Sequence, residues 1–240
     1  MRTDRRRSRV ETPPSPAPRG LFYLGQDLPV LLETSRFLIL NKPAGLAVHP
    51  GPSTQDSVET RLVTHPRGGP WLAHRLDADT SGCLLIARRK TALIEAQNAF
   101  QARQVRKLYW TVVEGVPAQQ EGEISAPLLR HSMPSGWRMI VDPKGDAAIT
   151  RWRVLGQAGS RSWLELELLT GRTHQARIHC AHLGTPIVGD RVYGSEDAGG
   201  LHLLARSLHV PLAEETLDAV APPAPAMAEA LRHLGWDGQS

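Results

Sequence analysis

The apolar residues of this chain come in short runs that follow one another closely, and few stretches carry a helical spacing. Val30-Leu31-Leu32 and Phe37-Leu38-Ile39-Leu40 flank a turn at Glu33-Thr34-Ser35, and Cys83-Leu84-Leu85-Ile86-Ala87 lies between Gly82 and Arg88-Arg89-Lys90. Lys107 to Val113 is rich in aromatic and β-branched residues. A period of two sets Leu108, Trp110 and Val112 on one face and Tyr109, Thr111 and Val113 on the other. Ala147 to Leu155, Trp163 to Leu169 and Leu201 to Val210 read as further strands, with Leu164, Leu166 and Leu168 inward and Glu165 and Glu167 outward. Helices are predicted at Asp56 to Val63, from a Thr91 cap to Arg103 on the stripe Leu93, Ile94, Ala96 and Phe100, at Thr173 to Leu183 closed by Gly184, and at Ala226 to Leu234. Turn residues crowd 115–146, which predicts hairpins and an insertion without a core of its own. Strands that succeed one another without intervening helices predict an α+β fold. The expected architecture is a single domain on a largely antiparallel mixed sheet flanked by helices and loops, not a βαβ repeat.

A chain of 240 residues can bury a sizeable core. Cys83 and Cys180, both in apolar surroundings, read as core fillers rather than a disulfide framework, which suits a reducing cytoplasm. No apolar run approaches the ~20 residues that span a bilayer. Charge is unevenly placed. Residues 1–20 hold six arginines against two acids, residues 61–110 nine Lys/Arg against three acids, and residues 196–240 seven acids against two arginines. A polyanion would meet a basic face and a basic tail. Residues 1–20, Arg-rich and then Pro-rich, are expected to be a disordered tail without the apolar segment of a signal peptide, and the folded domain to span 21–235.

Chemistry concentrates in His74-Arg75-Leu76-Asp77-Ala78-Asp79-Thr80-Ser81-Gly82, which runs straight into the apolar stretch at Cys83. A polar loop at the mouth of a buried strand is where a scaffold positions reactive groups. Asp77 can serve there as nucleophile, general base or half of an ion pair. The same residues are also ordinary turn formers, with Asp77 and Asp79 capping amides and Gly82 at positive φ. Asp77-Ala78-Asp79-Thr80 further fits the Asp-x-Asp-x-Thr of Mg²⁺-dependent aspartyl-phosphate phosphatases. That motif needs a buried apolar strand before it and an alternating α/β layout, and here Ala73-His74-Arg75 precede it. His174, His179 and His182 with Cys180 suggest a metal site, yet no carboxylate or second cysteine completes a shell, and packing or RNA contact fits them better. Arg172 and Arg177, flanking Thr-His-Gln-Ala, suit phosphate or carboxylate. Tyr109 by itself reads as core. No P-loop or dinucleotide fingerprint is present, so an enzyme built this way is expected to need no nucleotide or redox cofactor.

Together these segments resemble the RluA-type RNA pseudouridine synthases. The stretch His74 to Gly82 is similar to the family's catalytic loop, and Leu38-Ile39-Leu40-Asn41-Lys42-Pro43-Ala44-Gly45 with His49-Pro50-Gly51 to its first motif. Lys107-Leu108-Tyr109 resembles its tyrosine motif. Gly171-Arg172-Thr173-His174-Gln175-x-Arg177-Ile178-His179, with Gly184-x-Pro186-Ile187-x-Gly189-Asp190-x-x-Tyr193-Gly194, resembles its last. The likeness runs in the family's order from about Leu31 to Leu212, and four ordered motifs outweigh the turn-former reading. Ala78 departs from the Arg or Lys that many members carry there. The roughly 30 residues before the first strand pair are too few and too polar for the S4 RNA-binding domain of some relatives.

The resemblance implies isomerisation of uridine in RNA: the glycosidic bond breaks, the base rotates, and C5 bonds to C1′. It makes Asp77 the carboxylate that acts on the uridine, with Arg177 beside it to keep it charged and Tyr109 stacked on the uracil. The target base is flipped out at a cost of a few kcal/mol, and Arg75 fills the space it leaves. His74, Thr80, Arg172, His174 and Gln175 are implied RNA contacts. The expected partner is structured RNA, large-subunit rRNA or tRNA, bound by a cytoplasmic monomer without membrane or nucleotide, and bound more weakly as salt rises. A non-catalytic RNA-binding relative and the phosphatase stand as alternatives. The first leaves the joint presence of Asp77, Tyr109 and Arg177 without purpose, the second leaves the other three motifs so.

Overall fold

The computed structural model describes residues 28–51, 54–62, 68–134, 136–194, 197 and 199–239. The tail expected at 1–20 and the domain start at 21 lie outside the described residues. Strands β1 (Val30–Glu33) and β2 (Phe37–Lys42) form an antiparallel hairpin about the expected turn. Helix α1 (Val58–Arg61) is a single turn opened by a Ser57–Thr60 capping box, shorter than the sequence predicts. Strand β3 (Trp71–Leu72) enters the polar loop and β4 (Ser81–Ala87) leaves it. Then come α2 (Lys90–Gln101), β5 (Arg106–Glu114), β6 (Glu121–Ser125), β7 (Leu128–Met133), β8 (Gly136–Val141), β9 (Ile149–Ala158) and β10 (Arg161–Leu168). Helix α3 (Gln175–His182), strands β11 (Leu203–Pro211) and β12 (Thr216–Val220), and helix α4 (Pro225–His233) complete the chain.

One mixed sheet holds the order β1-β2-β4-β11-β5-β10-β9-β6, with β12 also on β11 and β3 on β4. Every pairing in it is antiparallel except β4 with β11. Gly82 sits at that exception. Its φ is +111°, and a Cβ there would lie 2.3 Å from the Ala205 carbonyl oxygen, so only glycine lets β11 approach the strand that follows the loop.

Both faces of the sheet are covered. One packs Leu38, Leu40, Leu84, Ile86, Leu164 and Leu166 against Ala176 and Cys180 of α3. The other packs Phe37, Ile39, Leu85, Trp110 and Val112 under α2 and α4. Double coverage explains why β4 is a continuous apolar run rather than an alternating one. Each fully buried leucine or isoleucine in it contributes ~1.5–3 kcal/mol.

Two expectations change and a third is refined. The buried stripe of α2 is Ala92, Ala96 and Ala99, while Ile94 stands 49% exposed, because small side chains let the helix lie close to the sheet. Strand β12 is absent from the sequence reading, since only Leu217 and Ala219 of its five residues turn inward. The region 115–146 packs on the rest of the domain and carries no cluster of its own among the described residues. Strand β6 joins the main sheet through β9, and the β7–β8 ribbon is anchored to α3 by Leu128, Met139, Ala148 and Ile178.

Candidate active site

Asp77 begins a tight turn in which the Thr80 amide donates to the Asp77 carbonyl at 3.1 Å. The turn formers therefore do form a turn, and that turn carries the carboxylate. It is tied down from two sides. The Ala78 carbonyl accepts from Gly45 N at 2.9 Å and from Lys42 Nζ at 2.8 Å. Lys42 ends β2 with its side chain fully buried, and Nζ donates also to the carbonyls of Pro43 and Leu46, each at 2.8 Å. Burial pushes this ammonium down to about 8, while the charges of Asp79 and Asp77 work the other way. On the opposite side His74 Nε2 accepts from Leu85 N at 2.9 Å, and the ring rests 4.9 Å from that of Phe100. An acceptor at Nε2 fixes the tautomer with its proton on Nδ1. Burial, with Lys107 nearby, pushes this imidazole down to about 3, so it is neutral.

The loop opens on a cleft of about 530 Å³, lined among others by Arg75, Asp77, Lys107, Tyr109, Arg172 and His174. That is ample for a nucleoside. The Asp77 carboxylate is partly exposed and makes no hydrogen bond or ion pair among the described residues. Its charge nevertheless acts on Lys42, Tyr109, His174, Arg177 and Tyr193. Tyr109 projects from β5 into the cleft at 9% exposure, and burial together with the Asp77 charge raises its pKa, which keeps the phenol protonated. Lys107 Nζ donates to Thr170 O at 3.1 Å, and burial pushes it down to about 8. Thr80 is buried and lines the same cleft. Arg75 is exposed at the edge, without a hydrogen bond or ion pair among the described residues. Arg172 is half-exposed, with Nε on Ala147 O at 3.2 Å and Nη1 3.4 Å from Asp146.

Arg177 has a different immediate partner from the one expected. It grips Asp190 in a buried fork, Nε to Oδ2 at 2.8 Å and Nη2 to Oδ1 at 2.7 Å, and meets Asp77 only through space. Asp190 also accepts from the amides of Val192 and Tyr193. Burial opposes its charge, but the Arg177 fork and those amides hold the carboxyl below the usual range. Tyr193 then accepts from Met139 N at 3.0 Å and lies 2.9 Å from His174 Nδ1, with the Arg177 guanidinium over its ring. His174 holds the position before α3 with φ +55°, a left-handed conformation that a non-glycine residue adopts at a cost. Burial pushes its imidazole down while Asp77 draws it up.

Gln175 lines the cleft, but its amide is saturated by the protein. Oε1 accepts from Thr170 Oγ1 and Arg172 N, and Nε2 donates to Ile149 O and Thr150 Oγ1. It clamps β9 to the start of α3, as His74 clamps the loop to β4, and neither keeps a ring or amide group for RNA at those atoms. His179 is a packing histidine, Nδ1 on Thr150 and Nε2 on Ala126 O. Among the described residues no three His, Cys, Asp or Glu side chains are grouped to hold a metal ion. Lys42, Asp190 and Tyr193 lie within the motifs and carry structural duties in the site, which no local pattern assigns to the last two. A lysine ending an apolar strand before Pro-x-Gly was the available signal for the first.

A family model described as RNA pseudouridylate synthase matches residues 36–182. The chain is 42% identical over 216 residues to an uncharacterized RNA pseudouridine synthase of Zymomonas mobilis, covering 86% of this chain and 97% of that one. It is 38% identical over 182 residues to ribosomal large subunit pseudouridine synthase D of Pseudomonas aeruginosa, covering 72% of this chain and 56% of that protein. Among solved structures, human RNA pseudouridylate synthase domain containing 4 superposes with a TM-score of 0.72 at 26% identity, over 85% of this chain and 92% of that one.

Proposed function

The chain belongs to the RNA pseudouridylate synthase family, and from that footing we propose that Asp77 is the carboxylate that acts on a uridine of large-subunit ribosomal RNA. The observation that carries the assignment is the isolation of Asp77. The neighbouring polar groups Lys42, His74, Gln175 and Asp190 are engaged in holding the framework, whereas this carboxylate faces the cleft without a bonded partner among the described residues.

The reaction breaks the N1–C1′ bond, rotates the uracil, joins C5 to C1′ and moves the C5 proton to the freed nitrogen. No net oxidation occurs, so the residues need only hold, orient and move protons. Asp77 acts at the sugar as nucleophile or base. Tyr109, protonated and fixed on its strand, stacks on the uracil and offers a donor. The Arg177–Asp190 pair sets a cation within reach of the Asp77 charge without neutralising it by direct contact. Arg75 takes the space of the flipped base, and Arg172, Lys107 and His174 receive phosphate or base edges. The choice of large-subunit rRNA is supported by relatives named for that activity. A cytoplasmic setting is supported by the free, buried thiols of Cys83 and Cys180, and the protein is proposed to act there as a monomer with one catalytic domain over 21–235.

The test takes bulk rRNA and tRNA from cells lacking the protein and incubates each, in EDTA, with wild type or Asp77→Asn. Pseudouridine is mapped by carbodiimide-dependent primer-extension stops. A new stop in large-subunit rRNA with wild type alone is the expected result. A stop confined to tRNA would replace the substrate, and equal stops with Asp77→Asn would remove Asp77 from the chemistry.

A further inference from the structure

Beside the Asp77 cleft lies a second groove of about 460 Å³, lined by Arg75, Arg130, Trp137, Lys144, Asp146 and Thr173. Arg75 and Thr173 line both, so the two depressions adjoin. On the wall of the second stands Trp137 of β8, 42% exposed. The His174 ring stacks on its indole at 5.4 Å and 26°, and the Arg130 guanidinium lies over the ring, 4.6 Å from its centroid. His174 in turn borders the Asp77 cleft and leans on Tyr193.

An indole this exposed is not needed to close the ribbon, which Leu128, Met139, Ala148 and Ile178 already anchor. It has instead the composition of a single-strand nucleic-acid platform, an aromatic face with cations on its flanks. We propose that Trp137 is a stacking platform for a nucleobase adjoining the target uridine, the base taking the place of the Arg130 guanidinium over the indole, and Arg130 so released joining Lys144 on the phosphates that lead to it. This rests on the reading of the Asp77 cleft as the site of the target base. Arg75 and Thr173, shared by the two depressions, stand between Asp77 and Trp137 as the crossing point for such a strand. The ribbon insertion is thereby a specificity element, selecting RNAs that present an unpaired base next to the modified one.

The alternative is that Trp137 only braces His174. The two are separated by measuring binding of bulk large-subunit rRNA and tRNA by filter retention, ultraviolet crosslinking of the same RNAs with peptide mapping, and the single-turnover rate at saturating RNA. The variants are Trp137→Leu and Trp137→Phe, with thermal unfolding as the control for folding. The platform predicts that Trp137→Leu weakens binding about tenfold or more while Trp137→Phe stays within about threefold. It also predicts a wild-type crosslink at Trp137, and a loss that falls mainly on affinity rather than on the rate at saturation. Binding by Trp137→Leu within about twofold of wild type, or a loss confined to the saturated rate, overturns it. Trp137-dependent binding by a wild type that forms no pseudouridine supports the platform and overturns the reading of Asp77.

Discussion

Lys42 Nζ donates to the carbonyl oxygen of Ala78 at 2.8 Å, and so ties the end of β2 to the turn that presents Asp77. An ammonium has three donors, and here three carbonyls take them, those of Pro43, Leu46 and Ala78. The Asn-Lys-Pro-Ala-Gly segment serves in this way as the clamp of the loop rather than as a surface of its own.

Replacing the clamp should therefore be felt in both stability and turnover. Lys42→Met keeps length but takes the ammonium from the carbonyls of Pro43, Leu46 and Ala78; Ala78 O keeps its bond from Gly45 N, while the buried Leu46 O is left unsatisfied at about 1–3 kcal/mol before relaxation. The expected outcome is a destabilised protein, visible in urea unfolding, with single-turnover modification slowed more than RNA binding is weakened. Unchanged stability and rate would mean the loop holds itself.

Acid sensitivity should trace to His74. The unfolded imidazole takes its proton near 6.5, whereas the folded one resists until about 3. Between those values the unfolded state binds the extra proton, so stability falls as pH falls, by at most ~1.4 kcal/mol per pH unit for this one group. His74→Gln keeps a neutral acceptor for Leu85 N. Chemical denaturation from pH 7 to 4 should show a shallower decline in the variant than in wild type, and parallel curves would acquit His74.

The Arg177–Asp190 fork is buried at both ends, and removing one end strands the other. Asp190→Ala should cost about 3–5 kcal/mol and release Tyr193, whose amide the same carboxylate holds. Arg177→Lys retains charge but cannot make the two-pronged contact. It should fold with a smaller loss and still modify RNA slowly. Thermal unfolding together with single-turnover rates checks both halves, and a lysine variant at full activity would show that the guanidinium plane is dispensable.

Much of this was legible in the residues because local pattern and tertiary context agree there. The alternation of Leu164, Leu166 and Leu168 and the polar loop before β4 survive folding unchanged, since the sheet buries the faces their periods define. Gly82 was legible as a positive-φ position but not as the contact point of a parallel neighbour, a fact about Ala205 far along the chain. The partner of Arg177 was hidden for the same reason. Asp77 and Asp190 both stand in the motifs, and only packing decides which one the fork reaches. Trp137 left no trace either, lying in a turn-rich segment whose role depends on where the ribbon docks against α3.

Arg75 offers the sharpest separation of charge from shape. It lies two residues before Asp77, exposed at the meeting of both grooves, and among the described residues nothing holds its guanidinium. If it only attracts phosphate, Arg75→Lys should behave as wild type, and Arg75→Ala should lower the slope of log binding constant against log salt by about one. If its plane fills the gap left by a flipped base, lysine cannot replace it. Both variants should then lose activity on a uridine held in a stem, and lose far less on the same uridine in an unpaired strand, where no stack has to be repaired. The expected outcome is the second pattern, read as single-turnover rates on the two RNAs at several salt concentrations. Equal losses on stem and strand would reduce Arg75 to a phosphate contact.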